Sequence, residues 1–168
     1  MRVLRIALDT TVTEPDLPET GALSAIRDHI GATDAVDQGL YHRRALLHIH
    51  GDGRAIGLAQ NNTAWLASAW RGMALYPTHG PVIVTARAQG GEDASLDDGL
   101  AQHAHAVAQP VRETLGEWRT RPPASNEAAL NELLAYAARD VAPQPVVCTA
   151  LRCAPTPTGP CAPPCPSH

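Results

Sequence analysis

The chain has 168 residues, a hydrophobic fraction of 44% and a formal net charge of −4 at pH 7. This length suits one domain with a core of its own, and the negative charge disfavours general nucleic-acid binding, which needs clustered positive charge. No run approaches the roughly 18 apolar residues that span a bilayer, and the start shows no signal-peptide pattern, so we expect a cytoplasmic protein that does not enter a membrane.

The first half of the chain predicts strands and one amphipathic helix. Apolar alternation over Met1–Leu8 is typical of a strand. An apolar stripe within residues 19–30 predicts a helix that Gly31 terminates. Residues 41–50 predict a second strand, and the Gly-Asp-Gly turn that follows predicts a hairpin with a return strand over residues 54–59.

A second helix and a buried strand follow the hairpin. Asn61, Asn62 or Thr63 can cap a helix that runs to about Ala74. The short β-branched run over residues 81–86 predicts a buried strand.

Two further helices are predicted at the end of the domain. One covers residues 96–119, where Pro110 is expected to kink or split it. The other follows a cap at Ser125 or Asn126. This order of elements predicts an α+β fold: a small four-stranded, mostly antiparallel sheet with helices packed on one face, and two extra C-terminal helices.

A change in composition divides the chain into a domain over residues 1–142 and a tail over residues 143–168. The tail holds eight of the 15 prolines, all four cysteines and no carboxylate, so we expect it to be disordered. The cysteine spacing, C-x4-C-x7-C-x3-C, lacks the C-x2-C pairs of structural zinc sites. Spare thiols are therefore expected, and no cofactor.

Glycine and turn positions carry a family resemblance over about residues 1–87. They are Gly31 at a helix end, the Gly-Asp-Gly hairpin, GLAQN at 57–61 and GPVIVT at 80–85. In these features the chain resembles a small domain family of unknown function that is found in phages, on plasmids and in actinobacterial chromosomes. The resemblance implies a fold and a mobile-element setting, and it supplies no catalytic residue.

A histidine cluster is the only candidate metal site in the domain. His48 and His50 project to one face of the predicted strand, and Asp52 lies just beyond them. The run resembles the first half of the metallo-β-lactamase-type motif His-x-His-x-Asp-His, but Gly53 occupies the position of the final His. Because Leu47 and Ile49 take the core-facing positions, we expect both histidines to be surface residues and no metal to bind.

The second helix carries the candidate partner surface. Trp65 and Trp70 are five residues apart, about 140° around a helix, so both cannot lie at the centre of one core face. One of them would then be partly exposed beside Arg71 and Met73, and such residue types are enriched at protein interfaces. A protein partner or self-association is expected there, unless both tryptophans simply fill a core that has no Phe.

Three functional hypotheses follow. The first is a non-enzymatic accessory protein of a mobile element, which supports plasmid maintenance, transfer or spread through protein–protein contacts at Trp65, Trp70, Arg71 and Met73. The second is a small metal-dependent hydrolase that uses His48, His50 and Asp52. The third is a regulator with a local DNA-binding patch, although nucleic acid is disfavoured as a partner.

Overall fold

The computed structural model describes residues 1–18, 20–33, 35–70, 72–73, 76–87, 93–94 and 96–140. Within them the chain forms six strands and four helices, which confirms the α+β class. Their order is β1 (Leu4–Ile6), β2 (Val12–Thr13), α1 (Ala22–Ile30), β3 (Val36–His42), β4 (Ala45–His50), α2 (Asn62–Ala69), β5 (Val82–Arg87), β6 (Asp93–Ala94), α3 (Asp98–Trp118) and α4 (Asn126–Asp140). The predicted tail, residues 143–168, lies outside the described residues.

The strands form one sheet in the order β2-β1-β5-β4-β3, and β6 pairs with the end of β5. All the described strand pairs are antiparallel. β5 lies at the centre, where Val84 is opposite Leu4 of β1 on one side and Leu47 of β4 on the other. This is the strand that the β-branched run predicted, and its central position gives its apolar side chains cover on both faces.

The prediction of four strands was close but not exact, and the hairpin was placed wrongly. The strand expected over residues 41–50 is two strands, β3 and β4, which turn at Arg43 and Arg44. Residues 51–57 form turns in place of a return strand over 54–59. The start of β3 was missed because β3 is an edge strand, and its Asp37 and Gln38 are exposed and polar.

One face of the sheet is covered by α2, α3 and α4. The large core lies there and draws on four strands and these three helices. Its buried members are Leu4, Ile6, Tyr41, Ala45, Leu47, Ala64, Leu66, Ala67, Val82, Val84, Leu96, Leu100, Ala101, Ala104, Val107, Val111, Leu133 and Ala137.

The opposite face is covered by α1, so the prediction that the helices pack on one face was wrong. Ile26 and Ile30 of α1 pack with Val3 and Ile83 in a second, smaller core. The physical reason lies in the alternation along β5, which points Ile83 away from the face that carries Val82 and Val84. A second cover was therefore needed, and α1 supplies it before ending at Gly31 as predicted, with φ 72°.

α3 and α4 meet at a corner that is fixed by one carboxylate. Pro110 is buried inside α3, which continues through it to Trp118. Glu132 of α4 accepts hydrogen bonds from Trp118 Nε1 at 2.9 Å and from both terminal nitrogens of Arg121 at 3.1 Å. The α4 start is capped by Ser125, whose Oγ accepts from the Ala128 N–H at 3.1 Å, as one of the two predicted caps.

Candidate functional site

α2 is held at its start by one buried asparagine. Asn61 is 1% exposed, and its side-chain oxygen accepts from the Ala64 N–H at 3.0 Å, which makes it the helix cap, one of the three predicted candidates. Its Nδ2 donates to the Ile6 carbonyl at 2.9 Å and to the Gly80 carbonyl at 3.1 Å. One side chain therefore joins α2, β1 and the loop that leads into β5.

The body of α2 is buried on every side. Six consecutive residues, Thr63 to Ser68, are buried because the helix contacts α3 and α4 as well as β3. Trp65 lies among them and is only 2% exposed. It is thus a core residue, and it is not available to a partner.

The described residues that follow α2 are less buried than the helix itself. Trp70 at the helix end is half-buried, with its ring 6.5 Å from that of His103 at an angle of 48°. Met73 is also half-buried, and Tyr76 is 78% exposed. We call Trp70, Met73 and Tyr76 the α2 exit; Arg71, the fourth candidate partner residue, lies outside the described residues.

The histidine cluster does not form the expected surface pair. His48 is 0% exposed, and its Nε2 lies 2.9 Å from Thr85 Oγ1. His48 and Leu47 point to opposite faces of the sheet, as predicted. However, α1 covers the face that carries His48, so the prediction that His48 is a surface residue was wrong. His50 is half-buried, and its Nδ1 accepts a hydrogen bond from the Asp52 backbone N–H at 3.2 Å. Asp52 is exposed.

Among the described residues, no three His, Cys, Asp or Glu side chains are close enough to hold a metal ion. The four cysteines lie beyond residue 140 and outside this description. On α3, His103 is buried and His105 is exposed. His105 Nε2 lies 3.2 Å from Glu14, whose pKa is lowered chiefly by a hydrogen bond from Arg2 and further by His105.

Sequence reasoning missed a cleft of about 500 Å³ between the turn that follows β1 and the second half of α3. The signal that could have found it is Arg112 and Arg119, which are seven residues apart and so share a helix face. We call it the turn cleft. Its lining residues are Leu8, Asp9, Thr10, Arg112, Leu115, Gly116 and Arg119.

Two residues of the turn cleft are unfavourable choices for local stability. Thr10 has φ 69°, a left-handed conformation that costs a β-branched residue about 1–3 kcal/mol. Gly116 lies inside α3, where glycine costs roughly 0.5–1 kcal/mol relative to alanine. An added Cβ at Gly116 would meet nothing within 4 Å, so packing does not require glycine there.

No described helix has the length and apolar character to cross a membrane. Comparison with known proteins adds no further constraint: no family model, no curated protein and no solved structure matches this chain.

Proposed function

We propose that this chain is a non-enzymatic accessory protein of a mobile genetic element, which acts in plasmid maintenance, transfer or spread by binding a protein partner at the α2 exit. The observation that carries the proposal is the contrast within one segment. α2 is buried on every side, whereas Trp70, immediately after it, is only half-buried.

The chemistry of the α2 exit suits a protein partner. Trp, Tyr and Met are enriched at the buried centres of interfaces, because each offers a large contact area. Here all three occur within seven residues, with Arg71 between them in the sequence.

The α2 exit is also anchored as far as Met73. The Gly72 N–H donates to the Ala69 carbonyl at 2.8 Å, and the Met73 N–H donates to the Ser68 carbonyl at 3.0 Å, so the backbone turns back on the helix end. Because Asn61 fixes the other end of α2, a partner that contacts Trp70 and Met73 would meet side chains carried by a hydrogen-bonded helix end, which lowers the entropic cost of binding.

The mobile-element setting is supported by the family resemblance over residues 1–87. The metal-dependent hydrolase is not proposed, because the first histidine of its motif is buried against Thr85 under α1. A DNA-binding regulator is not proposed either, since a chain with a net charge of −4 lacks the charge that would favour it.

The test is site-specific photocrosslinking in cells that carry the element. A photoreactive residue at Met73 should capture one protein that the same residue at Leu23 does not capture. Leu23 is a matched control because it is 50% exposed on α1, across the sheet from α2. The crosslink should be lost in Trp70→Ala, and plasmid retention should fall both in that variant and when the gene is deleted.

Folding of the variants separates binding from stability. Trp65→Ala should cost about 3–5 kcal/mol of stability as a core truncation, whereas Trp70→Ala should leave a folded protein. Identical crosslinks from Met73 and Leu23, or wild-type plasmid retention with Trp70→Ala, would contradict the proposal. A Met73 crosslink to a second copy of the chain would replace the partner with self-association.

A further inference from the structure

The turn cleft combines apolar walls with two arginines. Leu115 lies between Arg112 and Arg119 along the same face of α3, and Leu8 faces them from the turn, where it remains 38% exposed. A volume of about 500 Å³ lies within the range of small-molecule sites.

Arg112 is held in place by neutral oxygens. Its Nε donates to Thr10 Oγ1 at 2.9 Å, and its Nη1 donates to Gln109 Oε1 at 3.0 Å. Thr10 itself is 3% exposed, so the hydroxyl that holds the guanidinium is built into the turn. Within the described part of the chain, neither Arg112 nor Arg119 forms a salt bridge, unlike Arg121, which follows the end of α3.

The cleft keeps a net positive charge. Its one carboxylate, Asp9, accepts a hydrogen bond from the Thr11 N–H at 2.9 Å, and this bond lowers the pKa of Asp9. Two guanidinium groups and one carboxylate leave one positive charge at neutral pH. This balance suits a ligand with one anionic group, because a second anionic group would meet Asp9.

Thr10 and Gly116, the two locally unfavourable residues, both line the turn cleft and affect its shape or charge. Thr10 takes a left-handed conformation in the turn from which its hydroxyl holds Arg112. Gly116 leaves the helix surface between the two arginines without a side chain, although the packing would accept one. Departures from local preference that converge on one cleft are typical of functional sites.

We propose that the turn cleft binds a small organic anion, in which one carboxylate or phosphate group contacts Arg112 and Arg119 and an apolar body contacts Leu8 and Leu115. Guanidinium groups match the planar or branched oxygens of both anions, so the shared chemistry is an oxyanion joined to an apolar group. This site is separate from the α2 exit and does not rest on the proposed function.

The test uses the full-length protein titrated with 4-phenylbutyrate, phenyl phosphate and the neutral 4-phenylbutanol, followed by NMR chemical shifts and calorimetry. At least one anion should bind saturably, with shifts centred on the turn cleft, and at least tenfold more tightly than the alcohol. The stronger of the two anions identifies the ligand as a carboxylate or a phosphate. Inorganic phosphate alone should bind more weakly than phenyl phosphate, because it lacks the apolar body.

Variants separate binding from folding. Gly116→Met should fill the cleft and abolish binding while its melting temperature stays at or above that of the wild type, since methionine is a better helix former. Thr10→Gly should relieve the left-handed conformation yet weaken binding severalfold, because Arg112 loses its hydroxyl partner. Arg121 lies outside the cleft, so the Arg121→Gln variant should bind the anions as tightly as the wild type does.

Three results would overturn the proposal: no saturable binding of either anion at millimolar concentration, equal binding of the alcohol, or unchanged binding by a folded Gly116→Met. If Gly116→Met fails to fold, Arg112→Gln combined with Arg119→Gln decides the matter. These two arginines make no salt bridge in the described structure, and their joint replacement should lower affinity at least tenfold.

Discussion

Replacing Asn61 by alanine should be among the most damaging single substitutions in this domain. The change removes three buried hydrogen bonds: two that Nδ2 donates to the carbonyls of Ile6 and Gly80, and one that Oδ1 accepts from Ala64. Loss of the helix cap alone costs about 1 kcal/mol. Each buried carbonyl that loses its hydrogen bond from Nδ2 adds about 1–2 kcal/mol, so we expect Asn61→Ala to lower the free energy of unfolding by about 3–5 kcal/mol.

The measurement is urea denaturation followed by circular dichroism, with Gln60→Ala as the control. Gln60 is the neighbouring residue, and its side chain makes one exposed hydrogen bond of 3.3 Å to Asn126, so its loss should cost under about 0.5 kcal/mol. Asn61→Asp should be as damaging as alanine at neutral pH, because it sets a carboxylate against two carbonyl oxygens, and less damaging in acid, where the protonated group can donate again. An Asn61→Ala variant as stable as Gln60→Ala would refute the reasoning.

Two further predictions concern the packing of the sheet and the corner between α3 and α4. His48→Ala should lower the free energy of unfolding by about 2–4 kcal/mol because it empties a fully buried position, whereas His50→Ala should cost under about 1 kcal/mol; equal costs in thermal melts would contradict the burial of His48. Glu132 has a pKa lowered first by its hydrogen bond from Arg121. Its stabilising effect is therefore present above the ordinary value of 4.5 and lost as the pH falls through the lower folded value. Wild type should lose more stability than Glu132→Gln between about pH 5 and about pH 3, and parallel pH profiles would argue against this ion pair.

The helices of this domain could be predicted from the sequence more closely than the sheet. Apolar periodicity, the glycine at position 31 and the cap at position 61 are local signals, and each fixes a helix within a few residues. β2 and β6 have two residues each, too few to show any alternation. These strands form because the backbone N–H and C=O groups of β1 and β5 can hydrogen-bond to them. Such pairing depends on a distant or neighbouring strand, so the local sequence pattern does not predict it.

The burial of His48 shows a second limit. Alternation assigns residues to opposite faces of a strand, but it does not say which faces are covered. Whether α1 crosses over the sheet depends on the loops around it, and these determine the environment of His48. The turn cleft was missed for a similar reason, since its two sides are Thr10 and Arg112, about a hundred residues apart in the sequence.

The sheet order also sets the order in which the chain can fold. β3 and β4 are adjacent in sequence and can form their hairpin as soon as both have left the ribosome. β1 can pair early with β2, which follows it in sequence, but this pair cannot join β4 and β3 before β5 is made, because β5 places Val84 opposite Leu4. Closing a loop of this length is entropically slow compared with forming a hairpin. During synthesis, the first strand of the chain is therefore among the later ones to enter the sheet.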